Sequence, residues 1–83
     1  MIERFYYQNI NVHRPRDYFE RWYADLWSRR IGGPTAPPGI LERILDEELD
    51  LVGARWEGVQ QDYRFRVWWD RDADYTMFAL RWS

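Results

Sequence analysis

At 83 residues the chain is sized for one domain, 1–83, and a domain this short hides only roughly 60% of its unfolded surface, so its core must be efficient. Aromatic residues answer that need, making up 19% of the chain with six Trp among them. The absence of Cys excludes disulfides, thiolate metal sites and a thiol nucleophile, and a net charge of −2 argues against binding nucleic acid through bulk charge.

The opening Met1-Ile2-Glu3-Arg4 brings an acid at once and no apolar run behind it, so neither a signal peptide nor a membrane span is expected. The default reading is a cytoplasmic protein. All twelve basic residues are Arg. One reading of that is codon bias in a GC-rich genome; the other is that the planar guanidinium suits paired, partly buried contacts.

In residues 2–12, Ile2, Arg4, Tyr6, Gln8 and Ile10 alternate with Glu3, Phe5, Tyr7 and Asn9. With their aromatic and β-branched content they predict a strand whose buried face stays open. Residues 15–30 predict a helix: Tyr18, Phe19, Trp22, Tyr23, Leu26 and Trp27 form one stripe at helical spacing. Pro15 suits its first turn, Asp17 and Glu20 its positive end, and Arg29 and Arg30 its negative end. Gly32 and Gly33 then stop it, opening a Pro/Gly-rich loop to Gly39. A second helix is expected from Pro38 to Leu49, where Ile40, Leu41, Ile44, Leu45 and Leu49 repeat.

The last third reads as a meander of strands at 51–57, 62–69 and 74–82, turning at Gly58–Gln61 and Asp70–Ala73. The expected fold class is α+β, in the order β-α-α-β-β-β, an antiparallel sheet with two helices packed on one face. An even-numbered turn between the last two strands places Phe65 and Val67 with Phe78 and Leu80, and the opposite register would bury Arg81 among rings. The outer face is then expected to present Arg55, Arg64, Arg66, Trp68, Tyr75, Met77 and Arg81. Trp, Tyr and Arg are the types that dominate binding hot spots. Strands also carry them simply because they cover each other's apolar surface.

Catalytic chemistry has little to stand on. His13 is the single histidine and sits at a strand end, and the only serines, Ser28 and Ser83, lie on no nucleophile elbow. Asp70-Arg71-Asp72-Ala73-Asp74 opens like a calcium loop, but Tyr75 replaces the required Gly and Arg81 the bidentate Glu, so a solvated hairpin turn is expected. Glu42, Asp46, Glu47, Glu48 and Asp50 read as the solvent face of the second helix, with an acidic docking patch as another use. Gly32-Gly33-Pro34 lacks the Lys and spacing of a phosphate loop. No catalytic residue, metal or cofactor is assigned, and the chain is read as a non-enzyme.

The sequence therefore points first to a protein-binding accessory, inhibitory or assembly factor using the Arg/Trp/Tyr sheet face. Self-association is compatible with that reading. The alternative is single-stranded nucleic acid stacked on the same face, although the Gly and Phe/Tyr pattern of an RNP sheet is absent. An enzyme ranks third, because it would need acids, Tyr and Arg gathered in a pocket that the spacing does not favour.

Overall fold

A computed structural model describes residues 1–7, 9–32, 39–59 and 64–83. The elements in chain order are β1 (Ile2–Tyr7), α1 (Tyr18–Leu26) continuing into a π-helical turn (Trp27–Ile31), α2 (Ile40–Leu51), β2 (Ala54–Val59), β3 (Arg64–Trp69) and α3 (Asp72–Trp82). The class is α+β with an antiparallel sheet, as the pattern implies. The order ends in a helix where a fourth strand was expected, and among the described residues the helices number three rather than two.

α1 begins where local chemistry starts it. Asp17 has extended backbone and its Oδ1 accepts the Glu20 N–H at 2.9 Å, satisfying a donor that the first turn leaves free. The Glu20 carboxylate reaches back to the Arg16 backbone N–H at 3.2 Å and pairs with its guanidinium, a variant of the capping box. The helix closes at Gly32, whose φ of 67° places it in the left-handed region and whose N–H meets the Trp27 carbonyl at 2.9 Å. The rest of the Pro/Gly-rich loop, 33–38, lies outside the described residues, as do 60–63, the end of the first expected turn and the start of the strand expected at 62–69.

β3 is the central strand of a three-stranded sheet ordered β1-β3-β2, antiparallel on both sides. Its burial alternates strictly: Phe65, Val67 and Trp69 are buried, while Arg64, Arg66 and Trp68 are only partly covered. Register carries Tyr6 and Ala54 onto the buried side, opposite Phe65 and Trp69. The helices fill that side with Phe19, Trp22, Tyr23 and Leu26 from α1, Ile44, Leu45 and Leu49 from α2, and Phe78 from α3.

Much of the cohesion comes from rings. Tyr6 stacks on Phe19 at 3.8 Å, and the Phe78 ring meets Tyr18, Phe19, Trp22 and Trp69 between 5.2 and 6.3 Å. Such pairs add about 0.5–1.5 kcal/mol each beyond the area they bury. Contacts of Tyr18 with Tyr75 and of Trp22 with Phe78, together with the Arg21 bond to the Trp82 carbonyl, show α1 and α3 running in the same direction.

The expected strand at 74–82 is thus corrected. Tyr75, Phe78, Ala79 and Trp82 face inward at helical spacing, with Asp74 at the edge of that side against Gly53, and Phe78 is buried from a helix rather than from a strand. The Asp70–Ala73 hairpin turn is corrected with it, since Asp72 and Asp74 belong to the first turn of α3, where carboxylates oppose the helix dipole favourably. β1 occupies the sheet position that the expected last strand would have taken.

Candidate functional site

Two sides of one sheet have different fates. Among the described residues all three helices feed the Phe65/Val67/Trp69 side, and the other side stays open to solvent. Cross-strand register assembles that open face: Glu3 and Arg55 flank Trp68, Phe5 and Glu57 flank Arg66, and Tyr7 pairs with Arg64.

Of the residues expected on this face, Arg55, Arg64, Arg66 and Trp68 are there. Tyr75, Met77 and Arg81 are not: they belong to α3, on the far side of the sheet. Their assignment followed from the strand register, and it fails with that strand. Residues the sequence did not place are Glu3, Phe5, Tyr7 and Glu57. The alternation of β1 had separated Glu3, Phe5 and Tyr7 from Tyr6, but only the pairing of β1 with β3 decides which set is buried.

The centre of the face is an ion-paired ladder. Arg66 Nε meets Glu3 Oε2 at 2.6 Å and its terminal nitrogen meets Glu57 Oε1 at 3.3 Å, joining all three strands. These two carboxylates raise the Arg66 pKa, Glu3 most. The same guanidinium lies 4.5 Å over the Trp68 ring, and Arg64 lies 5.1 Å over Phe5. Arg55 stands 3.8 Å from Asp70.

Around this ladder the apolar surface is left bare: Phe5 is 47% exposed and Tyr7 59%. Each end of the face opens into a cleft. One of about 600 Å³ is lined by Tyr7, Asn9, Asn11, Arg14 and Arg16. The other, of about 270 Å³, includes Arg55, Trp56, Trp68 and Asp46.

Tyr75 has a different role from the one expected. Its hydroxyl lies 2.9 Å from that of Tyr18, and both face Arg4, whose pKa they raise, Tyr18 most. Burial pushes the Tyr18 hydroxyl up and the Tyr6 hydroxyl far above its usual range. Tyr6 and Tyr18 stay neutral at ordinary pH, and the contacts among Arg4, Tyr18 and Tyr75 tie β1 to α1 and α3.

The acidic cluster on α2 is likewise not a simple solvated face. Glu48 is buried and meets Arg30 at 2.9 Å and Arg29 at 3.6 Å, while Glu47 bridges Arg30 and Arg43. Arg30 holds the Glu47 carboxyl below its ordinary value. Asp46 accepts the Trp56 indole N–H. Among the described residues no group of three or more acids and histidines is arranged to hold a metal, and no helix is long and apolar enough to cross a membrane.

No family model, curated protein or solved structure matches the chain. The functional reading accordingly rests on the face itself.

Proposed function

We propose that the chain is a protein-binding module that meets its partner through the open face of the sheet, acting as an accessory, inhibitory or assembly factor. The observation that carries this reading is the pair of bare rings, Phe5 and Tyr7, beside half-covered Trp68 on the side that the helices leave open. Three guanidinium groups and two carboxylates share the face, so its charge is close to balanced. That suits a mixed protein surface. It suits a phosphate backbone poorly, since Arg66 is already held by Glu3 and Glu57.

The test is affinity purification from the native host with the full chain, comparing wild type with a Tyr7→Ala/Trp68→Ala variant. Neither ring belongs to the buried core, so circular dichroism should be unchanged while a partner held by wild type is lost. A partner retained by the variant would exclude this face. Oligonucleotide binding that weakens steeply with salt and vanishes in the variant would favour nucleic acid instead.

A further inference from the structure

α3 carries a second apolar stripe that the fold does not use. Its inward side is spent on the core. On its outward side Ala73, Met77 and Leu80 recur at i, i+4 and i+7, and all three are exposed, Met77 and Leu80 each at 72%. That spacing is the seam along which one helix packs on another. Leu51, 78% exposed, borders with Met77 a cleft of about 500 Å³.

The charges beside the stripe say what fits it. Asp74 and Arg81 flank it on α3 and line the same cleft with Asp50. Among the described residues none of these three is held in an ion pair, so all three charges are available to a second surface. Arg81 rests instead 5.8 Å from the Trp82 ring centre.

Asp74 and Arg81 are two helical turns apart, with Met77 between them. Two copies of α3 laid antiparallel about a twofold axis near Met77 set each carboxylate beside the other copy's guanidinium. Asp74 and Arg81 lie on the same edge of the stripe, so a parallel pair would put the two copies' charges on opposite edges of the contact and pair none of them. A surface whose own ends complement each other across its middle is what an isologous contact requires.

We propose that the protein self-associates through α3 as an antiparallel twofold pair, with Met77 and Leu80 at its centre and Asp74 paired to Arg81 across it. α3 lies on the core side of the sheet, so the contact leaves Phe5, Tyr7 and Trp68 free and does not rest on the reading of that face. An eleven-residue helix is only about 16 Å long, and such a contact falls short of the roughly 1,200 Å² of stable complexes, so the association is weak.

Sedimentation equilibrium of the full chain at low salt tests this. The weight-average mass should rise from 10.3 kDa towards twice that value as concentration climbs through about 10–500 μM. Met77→Glu should hold it at the monomer value with unchanged circular dichroism. Asp74→Arg and Arg81→Asp should each weaken association about tenfold or more, because each leaves like charges facing across the axis. An equimolar mixture of those two variants should associate again as a mixed pair. A constant monomer mass for wild type overturns the proposal, as does a mixture no heavier than its components. So does association that Trp68→Ala abolishes and Met77→Glu does not.

Discussion

Gly53 stands between α2 and β2 with φ at 76°, where a side chain is strained. Its N–H bonds the Asp50 carbonyl and the Val52 N–H that of Leu49, so the end of α2 and the turn into β2 share this one backbone conformation. A Cβ there would also lie 2.6 Å from the Asp74 carboxylate oxygen. Gly53→Ala should therefore lower unfolding free energy by about 1–2 kcal/mol, read by urea denaturation. Asp74→Ala on top of it relieves the crowding but not the backbone, so the double variant should stay less stable than Asp74→Ala alone. The strand expected at 51–57 starts too early: Leu51 ends α2 and β2 begins at Ala54. Two apolar residues before a glycine suit a helix end or a strand start alike, so the sequence does not separate them.

At the scale of elements, the capping of α1 predicts its own cost. Asp17→Ala leaves the Glu20 N–H without its acceptor and should destabilise the fold by about 1 kcal/mol, lowering Tm by about 4–8 °C in a chain of this size. Asp17→Asn should keep most of that stability, since its amide oxygen can accept the same bond. The helical stripe of α1 was legible because it repeats over nearly three turns with charges placed at both ends. β2 and β3 were legible from alternation, and the inward set of β3 is the one that alternation selects. α3 was misread for a physical reason. Thr76, Phe78, Leu80 and Trp82 alternate as a strand would, and Tyr75, Phe78 and Trp82 favour strands by type. Yet Tyr75, Phe78, Ala79 and Trp82 repeat the spacing of α1, and Asp72, Asp74 and Arg81 complement a helix dipole. The central strand was already flanked by β1 and β2, and burial of Phe78 against α1 decided the outcome. Half of the candidate face, Arg55, Arg64, Arg66 and Trp68, survived although the register used to choose it failed, because alternation within β2 and β3 keeps these residues apart from Ala54, Phe65, Val67 and Trp69 whatever strand lies alongside. Phe5 and Tyr7 needed the long-range partner of β1, which no local pattern supplies.

The whole molecule should be sensitive to alkali. Burial raises the hydroxyl pKa of Tyr6, Tyr18 and Tyr23 above the ordinary value of 10.0. The unfolded chain releases these protons near pH 10 and the folded chain holds them longer. Their contribution to stability is therefore complete below about pH 10 and is lost as pH rises from there towards the folded values. Denaturation midpoints should be flat between about pH 7 and 9 and fall above about pH 10, by up to about 1.4 kcal/mol per pH unit for each tyrosine that stays neutral. In the folded protein the tyrosinate absorbance near pH 10 should account for fewer than the six tyrosines, with the remainder appearing on unfolding.

The sheet order also bears on assembly. β1 pairs with β3, with Ile2 opposite Trp69, so β1 has its mate only after more than sixty further residues have been made. The β2–β3 ribbon closes over a short span, while docking of β1 must await closure of a loop of some sixty residues, with its larger entropic cost. Phe5, Tyr6 and Tyr7 have no partner strand without that closure, and one and the same pairing seals the Tyr6 side of the sheet and brings the exposed rings of the other side into place.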